Sequence, residues 1–87
     1  MGTPTLVIEI LSGSTRSKDM IYKLNTYRLS GVKEYWIIDP RQEQIMVYSF
    51  DNCEIDRFKI SENDDIAQSI VFNGLSVNVK DLFNELI

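Results

Sequence analysis

Glu9 is the first residue of this sequence whose position suggests chemistry. It stands inside the segment 5–11 (TLVIEIL), which is otherwise rich in apolar residues typical of β-strands. A carboxylate at a strand position that favours apolar side chains is costly unless a cation or hydrogen bonds compensate its charge. A divalent metal ion is one such cation, so Glu9 is a candidate metal ligand. The alternative is structural: Glu9 faces solvent at a sheet edge or pairs with Lys23.

Lys23 is the second candidate, and it also has two interpretations. Asp19 precedes it by four residues, and an acid-first pair at that spacing stabilises a helix by about 0.2–0.5 kcal/mol without any further function. Lys23 also lies one helical turn before Tyr27, beside the apolar stripe of the helix, so its ammonium group is able to point towards the sheet. From there it would stabilise negative charge that develops on a phosphate.

The remaining residue types narrow the chemistry. Histidine is absent, which excludes a Ser-His-Asp triad and His-ligated zinc. Any metal would be held by oxygen atoms, which favours Mg²⁺ or Mn²⁺. Asp39 ends a predicted strand at an edge where α/β sheets often bind ligands, but an Asp before Pro40 is more commonly a turn residue. The single cysteine, Cys53, excludes an internal disulfide, which fits a cytoplasmic protein.

The elements that would position these residues form a strand–helix–strand unit. Apolar spacing predicts a strand over 5–11 that is buried on both faces, a helix over 17–30, and a strand over 34–39. Such a unit is most naturally a right-handed parallel crossover. The helix is predicted to bury Met20, Ile21, Leu24 and Tyr27, and either Tyr35 or Trp36 is expected at an interface. Further strands are predicted over 44–50, 54–60 and 66–72, the first two antiparallel, with a short helix over 79–86.

Charge is unevenly distributed along the 87 residues. Residues 1–33 hold five basic and two acidic side chains, whereas residues 34–87 hold four basic and eleven acidic ones. A basic face from Arg16 to Lys33 could meet a polyanion such as DNA, although a solvated helix face is the simpler explanation of the charge. No apolar run is long enough to span a bilayer, so no membrane association is expected.

The block from Pro4 to Pro40 resembles the Uma-type restriction endonuclease family, a branch of the PD-(D/E)XK nuclease superfamily. The residues that carry the resemblance are Pro4, Val7–Glu9–Ile10, Leu11–Ser12, Ser14–Thr15, Asp19, Lys23, Tyr27, Gly31–Val32, Glu34–Tyr35–Trp36 and Asp39–Pro40. The resemblance implies a restriction-endonuclease-like α/β fold, with a mixed β-sheet and a strand–helix–strand crossover, followed by antiparallel strands and a short C-terminal helix. It also implies a metal-dependent site that cleaves DNA phosphodiesters.

The resemblance assigns roles to individual residues. In the superfamily an Asp and a Glu bind magnesium, and a Lys activates water or holds the phosphate. Glu9 matches the second acid and is the implied metal ligand. Leu11 stands where the Lys normally lies, and Lys23 is its natural substitute from the helix. Glu9 and Lys23 are therefore the expected catalytic residues, with Asp19, Tyr27 and Asp39 in support.

Three departures from the family pattern qualify this expectation. Family members carry a further segment in front of this block, including a strand with the first metal-binding Asp. Thr5 stands where many relatives have Asp, and Gly13 stands where relatives usually have Pro. Residues 1–87 are therefore expected to form a single, truncated domain, with a Mg²⁺-dependent DNA endonuclease activity that is weak or absent alone. The alternative is a non-catalytic remnant that dimerises or binds nucleic acid. The missing half would come from a second copy or from a partner.

Overall fold

A computed structural model describes residues 2–13 and 17–86 of the chain. Its elements are β1 (Leu6–Ile10), α1 (Ser17–Leu29), β2 (Glu34–Asp39), β3 (Gln44–Asp51), β4 (Glu54–Glu62), β5 (Ile66–Gln68), β6 (Ser76–Asn78) and α2 (Val79–Leu86). Ser14, Thr15 and Arg16, which contribute to the predicted turn and basic face, lie outside the described residues. Neither described helix is long and apolar enough to cross a membrane.

The main sheet has four strands in the order β1-β2-β3-β4. β1 and β2 run parallel, with Leu6 opposite Glu34 and Ile10 opposite Ile38, and α1 makes the crossover between them. The other neighbours are antiparallel, and β5 and β6 form a separate two-stranded sheet. This is the mixed α/β fold that the sequence predicts, with antiparallel strands and a short helix after the crossover.

Apolar side chains cover both faces of the sheet because successive strand residues point to opposite sides. On the face under α1, the buried residues are Val32, Tyr35, Ile37 and Phe50, packed against Met20, Leu24 and Tyr27. On the other face, the buried residues are Trp36, Ile38, Ile45, Val47, Ala67, Val79 and Phe83. Tyr35 and Trp36 therefore belong to opposite halves of the core. Because both are only 1% exposed, the expectation that one of them lies at an interface is wrong.

Two burial predictions for the crossover unit are also wrong. β1 is an edge strand in the described part of the chain, and Ile8 and Ile10 on its uncovered face are 50% and 59% exposed. Helix α1 covers only the opposite face of β1, so the strand is not buried on both sides. Ile21 is 60% exposed, because it lies about 100° around the helix axis from Met20, away from the stripe that meets the sheet.

The connection between α1 and β2 depends on a glycine. Gly31 has a φ angle of 91°, which an L side chain rarely adopts, and it lies just after the end of α1. The chain then turns back so that the backbone N–H groups of Lys33 and Glu34 both donate to the carbonyl oxygen of Thr5, at 3.0 and 3.1 Å. This turn fixes the start of β2 beside the start of β1.

Candidate functional site

The Glu9 carboxylate accepts two hydrogen bonds from helix α1. Lys23 Nζ donates to Glu9 Oε2 at 2.7 Å, and the Tyr27 hydroxyl donates to Glu9 Oε1 at 2.6 Å. Each carboxylate oxygen therefore has its own donor, and one of the two donors carries a positive charge. The arrangement holds a carboxylate and an ammonium group side by side at the edge of the sheet.

The periodicities of the strand and the helix explain why these three side chains meet. Val7 and Glu9 point to the same face of β1, and Val7 packs into the core beneath α1. Lys23 and Tyr27 are four residues apart, so they lie on one side of the helix, above that strand. The Glu9 side chain is 21% exposed and the Lys23 side chain is 47% exposed, so the pair is open to solvent from one side.

The two donors keep Glu9 ionised. Partial burial raises the pKa of its carboxyl group, but the hydrogen bonds from Lys23 and Tyr27, together with the charge of Lys23, outweigh that effect and lower the pKa. The same contact acts in reverse on the phenol: the hydrogen bond to Glu9, with burial, raises the pKa of Tyr27. At neutral pH Glu9 is therefore a carboxylate and Tyr27 a protonated phenol.

Aromatic packing fixes the position of Tyr27. Its ring lies 4.9 Å from the ring of Tyr35, centroid to centroid, at an interplanar angle of 57°. Burial, with the nearby charge of Glu9, raises the pKa of Tyr35. The phenol that contacts Glu9 is thus supported by a buried ring of the central strand β2.

The two other acidic residues of the prediction lie apart from Glu9. Within the described residues Lys23 pairs with Glu9, and no ion pair joins it to Asp19. Asp39 Oδ1 accepts hydrogen bonds from the backbone N–H groups of Arg41 and Gln42, at 3.0 and 3.2 Å. Asp39 also lines a cleft of about 320 Å³ at the carboxyl ends of β1 and β2, which Glu9 does not line. The geometry of Asp39 is thus that of a turn residue.

A buried acid that the sequence analysis did not single out is Glu34. It is fully buried, and it accepts hydrogen bonds from Trp36 Nε1 at 2.9 Å, Ser69 Oγ at 2.6 Å and the Ile70 backbone N–H at 2.7 Å. These bonds tie the segment after β5 to the first residue of β2, which is a structural role. The available signal was an acid two residues before a Trp in an apolar strand, since residues at that spacing share a face.

The described residues do not form a complete metal-binding cluster. They contain no group of three or more His, Cys, Asp or Glu side chains that could hold a metal ion. Glu9 is an oxygen ligand of the kind that Mg²⁺ and Mn²⁺ prefer, and each of its oxygens has a lone pair beyond the one used by its donor. Glu9 is therefore suited to be one ligand of a metal ion, and the described residues do not form a complete set of ligands around it.

Comparisons with known proteins identify the family of the chain and a solved structure with a similar fold. Residues 1–80 match the family model Uma2, described as "Putative restriction endonuclease". The chain is similar to the crystal structure of a putative nuclease belonging to DUF820 from Anabaena variabilis, with a TM-score of 0.81 and 24% sequence identity. All of this chain is covered in that comparison, but it spans only 48% of the other chain. The comparison with curated proteins found no match.

Proposed function

Because the chain belongs to the Uma2 family of putative restriction endonucleases, we propose that it is part of a divalent-metal-dependent DNA endonuclease. In this proposal Glu9 is one of the metal ligands and Lys23 is the catalytic cation. The observation that carries it is the contact of Lys23 Nζ with Glu9 Oε2 at 2.7 Å, in a position open to solvent. A nuclease needs a charged oxygen ligand and a cation within reach of one phosphate.

Each residue of the site has a distinct task in the proposed reaction. When bound, Mg²⁺ or Mn²⁺ would polarise a phosphoryl oxygen and lower the pKa of a bound water. Glu9 supplies an ionised carboxylate, and Lys23 offsets the charge that develops on the phosphate in the transition state. Tyr27 fixes the carboxylate, because its hydroxyl donates to the oxygen that Lys23 does not contact. Asp19 and Asp39 lie outside this contact set and at most support it.

We further propose that residues 1–87 form a single domain that is incomplete as a nuclease. One carboxylate holds Mg²⁺ weakly, because this ion is usually bound by one or two carboxylates together with substrate oxygens. Two observations support a missing part: Ile8 and Ile10 are exposed on the edge strand β1, and the chain spans about half of the DUF820 structure. In this proposal the second acid comes from a segment outside residues 1–87. DNA as the substrate fits a cytoplasmic location.

Metal binding by the chain itself tests the role of Glu9 separately from cleavage. Substoichiometric Mn²⁺ should broaden the amide NMR signals of β1 and of the facing turn of α1, because paramagnetic broadening is confined to the surroundings of the ion. The broadening should disappear in Glu9→Gln and persist in Glu54→Gln, whose side chain is 80% exposed on another strand. Broadening that ignores Glu9→Gln would overturn the metal-ligand role.

Cleavage of supercoiled plasmid in Mg²⁺ or Mn²⁺ tests the reaction. The chain alone should nick slowly or not at all, and addition of a segment that supplies the second acid should raise the rate. Lys23→Met should then lower the rate by about 10²-fold, the usual loss when one transition-state charge contact is removed. Lys18→Met, on the same helix, should not. Equal rates for the two lysine variants would contradict the catalytic role of Lys23.

A second candidate function is a non-catalytic module that associates with itself or binds nucleic acid. The exposed edge of β1 favours self-association. Sedimentation that shows a stable monomer at low protein concentration would refute self-association. The basic face is weaker support for DNA binding, because Lys23 contacts Glu9 and Arg28 Nη1 donates to the Cys53 carbonyl at 2.7 Å. DNA binding, if this function holds, should weaken steeply with salt.

A further inference from the structure

We propose that a groove on the sheet face opposite α1 binds the phosphate group of a small phosphorylated molecule. The groove lies between β4 and the segment that follows β5, and it has a volume of about 520 Å³. That size is within the usual range of small-molecule sites, roughly 300–1,000 Å³. Glu9 and Lys23 meet on the sheet face that α1 covers, so the groove on the opposite face is separate from the proposed nuclease site.

Two cations of β4 share the wall of this groove. Arg57 and Lys59 both line it, and their positions two residues apart place them on one face of the strand. The register confirms the face, because Lys59 lies opposite Val47, which belongs to the core on the side away from α1. The acidic region 34–87 has only four basic residues, and two of them are concentrated here. Two adjacent cations match the double charge of a phosphomonoester.

A buried hydroxyl group is the second observation that indicates a ligand. Ser61 lines the groove and is 1% exposed, yet its Oγ has no hydrogen-bond partner among the described residues. A buried polar group without a partner is uncommon, because the lost hydration costs about 1–3 kcal/mol. A phosphate oxygen in the groove would accept the hydrogen bond that Ser61 is able to donate.

The remaining walls suit the rest of a small molecule. Gln68 contributes an amide that is able to donate and accept hydrogen bonds, and Val47 and Ile70 contribute apolar surface. Ser69 also lines the groove, but its hydroxyl is already used, because it donates to Glu34 and accepts from the Phe72 backbone N–H. Of these two serines, Ser61 is therefore the one whose hydroxyl is available to a ligand.

Acidic groups near the groove do not cancel its charge. Arg57 Nε lies 3.9 Å from Asp56 Oδ2, but both side chains are more than half exposed, so water screens this long contact. The Glu34 carboxylate lies behind Ser69, and it is held by the indole of Trp36 and by backbone N–H groups. The guanidinium of Arg57 and the ammonium of Lys59 thus stay available to an incoming anion.

NMR titration of the ¹⁵N-labelled chain tests the proposal at constant ionic strength. The probes are inorganic phosphate, adenosine 5′-monophosphate and adenosine. We expect saturable shifts of the Lys59, Ser61 and Gln68 amides with both phosphate-containing probes, with the nucleotide binding more tightly because it also covers the apolar wall. Adenosine alone should give no saturable shift at those amides.

Charge-matched variants make the test specific. Arg57→Gln combined with Lys59→Gln should weaken binding of the nucleotide by at least about tenfold, since charge-assisted hydrogen bonds are lost. Arg41→Gln combined with Lys80→Gln removes the other two basic residues of region 34–87 and should leave the affinity unchanged. Ser61→Ala should weaken binding by about fivefold while preserving the fold.

Three results would overturn the proposal. The first is that neither phosphate-containing probe gives saturable shifts at about 10 mM, a concentration well above the Kd of a specific site. The second is an equal loss of affinity in the two double variants, which would mean non-specific attraction. The third is binding of an oligonucleotide without terminal phosphate at the same amides as tightly as the nucleotide, which would indicate a nucleic-acid backbone as the ligand. None of these outcomes depends on nuclease activity.

Discussion

The Tyr27 hydroxyl is the group whose removal tests the site most directly. Tyr27→Phe deletes only the oxygen that donates to Glu9 Oε1 at 2.6 Å, and it keeps the ring that packs against Tyr35. A hydrogen bond to a charged group contributes about 1.5–3 kcal/mol to stability when it is well shielded. The Glu9 side chain is 21% exposed, so water reaches the freed oxygen in the variant. We therefore expect the free energy of unfolding to fall by about 1–1.5 kcal/mol at pH 7.

The pH dependence of this loss identifies its cause. The folded pKa of Glu9 lies below its ordinary value of 4.5, so the stability it contributes is present above that value and is lost as pH falls through the folded pKa. The folded pKa of Tyr27 lies above its ordinary value of 10.0, so its contribution is present below that value and is lost as pH rises through the folded pKa. The difference between wild type and Tyr27→Phe should thus be largest near neutral pH and shrink at both extremes.

Urea denaturation at several pH values measures the effect, with Tyr22→Phe as the control. Tyr22 lies on the same helix and is 73% exposed, so loss of its hydroxyl should change the stability by less than about 0.5 kcal/mol. In parallel, NMR titration of the side-chain carboxyl carbon should show the pKa of Glu9 rising in Tyr27→Phe. The reasoning fails if the two tyrosine variants lose the same stability, or if the titration of Glu9 does not move.

Three further changes test other parts of the structure by the same denaturation measurement. Glu34→Gln should lower the free energy of unfolding by at least about 2 kcal/mol, because the amide NH₂ would face buried donors. Glu54→Gln at an exposed position should lower it by almost nothing. Similar losses of stability in the two variants would contradict the role of the Glu34 hydrogen bonds. Gly31→Ala should lower the free energy of unfolding by about 1 kcal/mol through backbone strain at φ 91°. Gly2→Ala, where the added Cβ also meets no neighbouring atom, should leave the stability unchanged. Equal losses of stability in the two variants would exclude backbone strain as the cause. Lys23→Met should lower the free energy of unfolding by less than about 1 kcal/mol, and this loss should disappear in high salt, because the Lys23 side chain is 47% exposed. A loss of several kcal/mol would mean that the Lys23–Glu9 pair mainly stabilises the fold.

The sequence was sufficient to predict the crossover unit because its signals are local. Apolar residues at helical spacing give the helix almost to the residue, with 17–30 predicted for Ser17–Leu29. The apolar run EYWIID likewise gives β2, with 34–39 predicted for Glu34–Asp39. The same pattern could not show whether β1 is a central or an edge strand, because a run such as LVIEIL suits both positions. That distinction depends on which strands lie beside it, and sequence spacing carries no information on this.

The partners of charged side chains were harder to predict than the elements. Lys23 has an acid four residues away and another fourteen residues away, and local spacing favours Asp19. The fold selects Glu9, because β1 brings that carboxylate under the helix at 2.7 Å. This pairing was among the alternatives predicted from the sequence, but the contacts of Glu34 were missed, because the donors Ser69 and Ile70 come from a distant segment. Long-range polar contacts are created by the fold and leave only weak traces in the sequence.

The two outer edges of the sheet differ in a way that bears on the proposed function. β4 presents Asp56, Arg57 and Lys59, and charged side chains on an edge strand oppose pairing with another chain. β1 has a single charged residue, Glu9, whose carboxylate is held towards α1, and its other face exposes Ile8. An apolar edge without such protection favours the addition of a strand. Because Glu9 lies on that same strand, an added strand would cover the exposed edge and bring its own side chains beside the carboxylate. Under the proposed function, such a strand would be in position to supply the second acid beside Glu9.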